Sequence, residues 1–292
     1  MHVRDAHTLR NLLMEAGVHE IDILGGEPML ITWMKDFMKR MTESDITVNI
    51  STNGSLPEVV SRISELSPDL INIGFSLHGF SETHNALTQS DNFSKAALGI
   101  KKMVEKGKNP IVKSTLTRQN MHEIYDLVSY LKDLGVKRYF LLHEDIIGRQ
   151  KIMPCFSFPG FREFYRKLKD DFAGTLDIGS VAASGFYKYG LNSPGRCDAG
   201  LQKIAIMPDG SMFPCNLFAG FNEFRLGNIF QDDIEKIWTS PILEQFRTSH
   251  DNTCRRDDCS HYANCSGGCP AHSYFFHGRI DLPDPRCTDK MT

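Results

Sequence analysis

Apolar and polar positions follow two periods along the first half of the chain. Leu9, Leu12, Leu13 and Ala16 recur at the spacing of one helix face. Gly17 follows where a helix C-terminus takes a left-handed residue. The short run Ile21-Asp22-Ile23-Leu24 then suits a buried parallel strand. The same helix–glycine–strand joint recurs at Gly107, before Ile111-Val112, and at Gly135, before Tyr139-Phe140-Leu141-Leu142. Further strands are predicted over 46–51 and 71–77, and helices near 30–42, 57–66, 92–106 and 121–134. Asn120 stands where it caps the last of these, with Glu123 three residues on.

Strands thus begin near residues 21, 46, 71, 111 and 138, five in all. Regular βα alternation calls for a parallel sheet with helices outside, open or curled into a barrel. The chain opens on a helix, so a strand is expected to be missing in front of Ile21, leaving an unpaired edge. Beyond residue 150 the pattern changes. Phe161, Phe164, Tyr165, Leu168 and Phe172 form a helical stripe, read as core packing against the neighbouring domain. Gly, Ser and Tyr dominate a loop over 179–195.

Composition adds limits rather than a function. With 292 residues, 41% hydrophobic and 24% charged, the chain reads as an average globular protein of one large domain or two ordinary ones. A net charge of −3 gives no electrostatic case for nucleic acid. No signal-peptide core opens the sequence, and no apolar run nears the ~18 residues that span a bilayer. A cytoplasmic protein without membrane contact is expected. Cysteine changes the picture. Seven of eight lie between Cys197 and Cys287: Cys197, Cys215, Cys254-x4-Cys259-x5-Cys265-x3-Cys269 and Cys287. In a reducing compartment such a cluster is more often metal-binding or catalytic than disulfide-bonded. Spacing alone fits iron–sulfur and zinc almost equally, with disulfides third. Cys155, remote and beside Pro154, is read as a structural thiol.

Three strand ends carry small polar residues and glycine. Gly25-Gly26-Glu27-Pro28 leaves backbone groups open to a ligand and adds one carboxylate acceptor. The same residues also serve an ordinary strand-to-helix turn. Ser51-Thr52-Asn53-Gly54 and Ser76-Leu77-His78-Gly79 end the next two strands in the same manner. One pocket lined from several strand ends is the functional reading; His78 taken alone is read as structural. Downstream, Pro208-Asp209-Gly210 separates two β-like runs, predicts a hairpin and holds Cys215 in place.

With these residues in view, the chain resembles the radical S-adenosylmethionine (radical SAM) enzymes that carry a C-terminal SPASM domain. Gly25-Gly26-Glu27-Pro28 matches the GGEP motif, whose backbone in that family receives the cofactor's methionine amino group. Cys197, Gly210 and Cys215 fit the first half of the SPASM pattern; Cys254 to Cys269 and then Cys287 fit the second. Gly267-Gly268-Cys269-Pro270-Ala271 and Pro283-Asp284-Pro285-Arg286-Cys287 sharpen the match. The resemblance implies an α/β fold: a partial (β/α)6 TIM-like barrel lacking its first strand over 1–150, a linking helix and loop over 151–195, and a SPASM domain with a hairpin over 196–292. It implies two auxiliary 4Fe–4S clusters, one on Cys197, Cys215 and Cys269, the other on Cys254, Cys259, Cys265 and Cys287. It implies S-adenosyl-L-methionine held by Gly25, Gly26, Glu27, Pro28 and Ser76. A peptide or protein substrate, and an electron donor such as flavodoxin or ferredoxin, follow from the same likeness. In the family, an electron cleaves the cofactor and the resulting 5′-deoxyadenosyl radical takes a hydrogen from the substrate.

The sequence departs from the family in four places. No Cys-x3-Cys-x2-Cys loop occurs, so the cluster that cleaves the cofactor is expected only if an upstream segment exists; N-terminal truncation is the favoured reading. Cys254-x4-Cys259 is two residues wider than usual. Asn216, not aspartate, follows Cys215, which argues against sulfatase maturation because an amide accepts no proton. No lysine or arginine between Ser76 and Phe93 is placed to hold the cofactor carboxylate. The expected function is a radical SAM/SPASM enzyme that modifies a peptide. The alternative is a non-catalytic iron–sulfur or zinc scaffold that binds a peptide or passes electrons. No catalytic base is assigned.

Overall fold

The computed structural model describes residues 3–58, 70–147, 156–180, 197–247, 254, 265 and 267–287. It divides into two compact units. The sheet unit comprises residues 13–144 and 160–181; the cysteine unit comprises the described residues of 1–12, 145–159 and 182–292.

The sheet unit holds six parallel strands in sequential order: β1 (Glu20–Ile23), β2 (Thr47–Thr52), β3 (Ile71–Ser76), β4 (Ile111–Leu116), β5 (Arg138–His143) and β6 (Asp177–Gly179). Five strands were expected. The sixth is three residues long, too short to carry a period, and pairs with the start of β5. A parallel sheet covered on both faces is apolar on both, but this one is not. Val48, Ile50, Ile73, Phe75, Val112, Tyr139 and Leu141 are buried on one face. The other face carries Asn49, Ser51, Asn72, Ser76, Lys113 and Arg138. A polar inner face suits a barrel lumen that receives a ligand.

The buried face is covered by α2 (Met34–Thr42), α4 (Phe93–Glu105) and α5 (Ile124–Asp133), with α1 (Val3–Glu15) first in the chain and α3 (Ser81–Thr88) before α4. Ile124, Leu127, Val128 and Leu131 of α5 are fully buried, each contributing about 2 kcal/mol. Gly17, Gly107 and Gly135 all have positive φ, so the three predicted helix–strand joints are left-handed turns. Two details differ from expectation. The helix predicted from 30 begins at Met34, because Pro28–Leu30 forms a separate 3-10 turn capped by the Glu27 carboxylate. Asn120 does not cap α5. Its Oδ1 accepts from the Thr117 N–H, and its Nδ2 donates to the carbonyls of His78 and Thr115. That long-range tie outcompetes the local box. The helix predicted over 57–66, Cys155 and Cys259 lie outside the described residues.

The aromatic stripe lies on α6 (Phe158–Asp171) and the residues after it, and it packs within the sheet unit. Phe161 meets His143, Phe164 and Phe172 flank Tyr125, and the Tyr165 hydroxyl donates to the Ile178 carbonyl. In the cysteine unit, β7 (Ala205–Ile206) and β8 (Ser211–Phe213) form the predicted hairpin. A third strand, β9 (Gly227–Asn228), pairs with β8 and was not predicted, being two residues long. Helices α7 (Ile234–Trp238), α8 (Pro241–Arg247) and α9 (Pro270–His277) follow. Phe213, Phe218, Phe224 and Phe246 form their core with Cys269. Among the described residues, no helix is long and apolar enough to cross a membrane.

Candidate cofactor and cluster sites

At the C-terminal end of β1, a Cβ added to Gly25 or Gly26 would meet nothing within 4 Å, so their backbone stays open on that side. Gly25 has φ 136°, a value that side chains rarely adopt. The Glu27 carboxylate is turned inward. It accepts the Met29 N–H at 3.0 Å, the Thr52 hydroxyl at 2.9 Å and the Asn53 N–H at 2.8 Å. It thereby fastens the first strand-end loop to the second. The third loop joins through two residues the sequence did not single out. His84 Nδ1 accepts the His78 N–H at 3.1 Å, and His84 Nε2 meets Asn92 Oδ1 at 2.9 Å. Asn92 Nδ2 donates to the Asn53 carbonyl. Buried His84 lies within α3 and Asn92 just before α4, and nothing in the spacing marks either.

A cation reaches these strand ends from β4. Lys113 pairs in register with Ser76, and its Nζ donates to Ser51 Oγ at 3.0 Å. A Cβ at Gly74 would lie 2.8 Å from that Nζ, so the glycine makes the crossing over β3 possible. Burial lowers the Lys113 pKa, and the Asp22 carboxylate partly opposes the shift. Lys113 lies mid-strand, outside residues 76–93, and its reach depends on a glycine of the neighbouring strand, so no local pattern marks it.

His78 is tied into the fold, in line with the reading of this histidine taken alone. The Thr115 N–H donates to His78 Nδ1, which puts the ring proton on Nε2. Burial, with His84 close by, lowers its pKa to about 4. Unfolded histidine titrates near 6.5, so the unfolded chain binds the extra proton between these values and stability falls as pH drops through them. The loss is at most about 3 kcal/mol. Urea unfolding at pH 7.5 and pH 4.5 is expected to show it in the unaltered chain and to show a smaller loss in His78→Gln.

Six cysteines are described, and all are free thiols. They fall into two groups. Cys197 raises the pKa of both Cys215 and Cys269, while Cys287 and Cys254 raise that of Cys265. Burial is the larger cause in each case, lifting Cys215 to about 11 and Cys265 to about 12, with Cys269 raised well above the ordinary value. Four sulfurs accept backbone N–H groups: Cys197 from Ala199 at 3.4 Å, Cys215 from Leu217 at 3.3 Å, Cys265 from Gly267 and Cys269 from His272. A buried thiol kept as a small hydrophobe needs no such donors. Gathered sulfurs with N–H groups aimed at them fit thiolates that bind metal, where those bonds offset negative charge. Cys269, His272 and Asp284 also place ligand atoms within 4.8 Å of one another. Asn216 takes a 3.7 Å contact from Cys215 Sγ.

Comparison with known proteins gives both halves a family. The model of the radical SAM superfamily matches residues 2–143, and that of SPASM, an iron–sulfur cluster-binding domain, matches residues 197–269. The chain belongs to the radical SAM superfamily and carries a SPASM domain. Among relatives of this radical SAM protein, the antilisterial bacteriocin subtilosin biosynthesis protein AlbA of Bacillus subtilis is 27% identical over 89% of the chain. The chain spans 58% of AlbA's length. The mycofactocin maturase MftC of Mycolicibacterium smegmatis is 27% identical over 93% of the chain and 71% of its own length. The fold matches Streptococcus suis SuiB bound to S-adenosylmethionine, with a TM-score of 0.79 and 21% identity over 97% of this chain and 70% of that one. SuiB has also been solved with its precursor peptide SuiA, with the same TM-score and 20% identity over 97% of this chain and 68% of that one. The cysteine unit also contains three linked polar residues that spacing did not mark: Asp145, His272 and Arg286.

Proposed function

We propose that this radical SAM/SPASM protein modifies a peptide substrate in the cytoplasm, drawing electrons from a flavodoxin- or ferredoxin-like donor. Residues 1–150 would form the barrel, 151–195 the link and 196–292 the auxiliary-cluster domain. The observation that carries the reading is the sorting of six thiols into two groups in a chain that also holds a parallel α/β sheet with one polar face. AlbA's role in making a bacteriocin, MftC's as a maturase and SuiB's complex with a precursor peptide support the choice of substrate.

Bound S-adenosylmethionine, with one electron from a reduced cluster on a Cys-x3-Cys-x2-Cys loop, would supply radical hydrogen-abstraction chemistry. The open backbone of Gly25 and Gly26 would bind the methionine amino group, with Pro28 setting the turn and Ser76 reaching in from β3. Glu27 would hold the loop and not touch the cofactor. Lys113 would hold the carboxylate, the contact that residues 76–93 do not offer. Cys197, Cys215 and Cys269 would hold one 4Fe–4S cluster; Cys254, Cys259, Cys265 and Cys287 would hold the second.

Calorimetric titration of the anaerobically reconstituted chain with S-adenosylmethionine tests the reading. Binding is expected, and its absence even with a Cys-x3-Cys-x2-Cys loop supplied refutes it. Lys113→Met is expected to weaken binding about 10- to 100-fold, the loss of one charged hydrogen bond of about 1.5–3 kcal/mol. Lys113→Arg should recover part of it.

A further inference from the structure

Arg286 is fully buried and is the bulkiest such side chain among the described residues. Its Nε and Nη2 donate to the two oxygens of Asp284 at 3.1 and 2.9 Å, and its Nη1 donates to Asp145 Oδ1 at 3.1 Å. Asp284 is equally buried and equally engaged. Its Oδ1 also accepts the Arg286 N–H at 2.9 Å, and its Oδ2 accepts the Cys269 N–H at 3.0 Å. Its own N–H donates to the Gly267 carbonyl at 2.8 Å, and its carbonyl accepts the Cys287 N–H at 3.0 Å. Gly268 makes the contact possible. It has φ 89°, and a side chain there would overlap Asp284.

Asp284 therefore holds the backbone of one cysteine from each group: its carboxylate takes the Cys269 N–H and its carbonyl takes the Cys287 N–H. The charges lie close to both groups as well, with the Asp284 carboxylate 3.0 Å from the Cys269 nitrogen and Arg286 next to Cys287 in the chain. Stability does not explain the arrangement, because apolar residues of similar volume are often as stabilising as a buried ion pair. We propose that Asp284–Arg286 is a positioning unit shared by the two thiol groups. It fixes their separation and sets the electron affinity of both bound clusters together, with Asp145 as its outer handle. The proposal rests on the cluster reading above.

The test is an EPR-monitored redox titration of both clusters in the reconstituted full chain, with iron measured in every sample. Arg286→Gln removes positive charge and is expected to shift both potentials lower; Arg286→Lys should hold both near the original values. Asp145→Asn, at a partly exposed carboxylate, is expected to raise both. A merely structural arginine would give no such opposed shifts. The proposal is overturned if the two charge-changing variants move one potential alone, or neither, at full iron content. Should Arg286→Gln lose iron, Asp145→Asn decides by the same criterion. An unaltered chain without iron and sulfide overturns the cluster reading and this proposal with it.

Discussion

Cys269→Ser is expected to lower bound iron from about eight to about four per chain, with sulfide falling in step. Cys269 is buried, belongs to the same packed cluster as Cys197 and Cys215, and accepts the His272 N–H at the start of α9. Serine keeps the volume but offers a poor ligand for iron. Its backbone bond to Asp284 persists, so the Cys265 group stays positioned. Cys265→Ser should give the complementary loss. Iron and sulfide assays on both variants check this. Unchanged iron in either one contradicts the division of the thiols.

Glu27→Ala should have the second-largest effect. One carboxylate accepts three hydrogen bonds, two of which join the β1 and β2 loops. Charged hydrogen bonds are worth about 1.5–3 kcal/mol each and do not add fully. A net destabilisation of about 3 kcal/mol is expected, with S-adenosylmethionine affinity down at least ~100-fold as the Gly25–Gly26 backbone loses its anchor. Glu27→Gln retains an acceptor and should fall between. Thermal unfolding and calorimetry together check it. Lost affinity with unchanged stability would assign Glu27 to the ligand instead of the loops.

The sheet was legible because strand and helix patterns alternate along the chain, and the cysteine cluster because seven of eight cysteines crowd into residues 197–287; its division into two groups came only with the family resemblance. What escaped was short or distant. β6 and β9 hold three and two residues, fewer than a period needs. Asn120 has the local pattern of a cap, yet the His78 carbonyl, 42 residues away in sequence, claims its amide. Asp145 and Arg286 are 141 residues apart, so no spacing rule joins them. Lys113 sits mid-strand and reaches the site only because Gly74, on the neighbouring strand, leaves its path clear. Local chemistry writes itself into sequence; contacts that depend on which strands become neighbours do not.

The most direct measurement is iron, acid-labile sulfide and zinc per chain after anaerobic reconstitution. Two cubane clusters predict about eight irons, about eight sulfides and no zinc. Zinc bound without sulfide would contradict the cluster sites and leave a metal-stapled scaffold in their place.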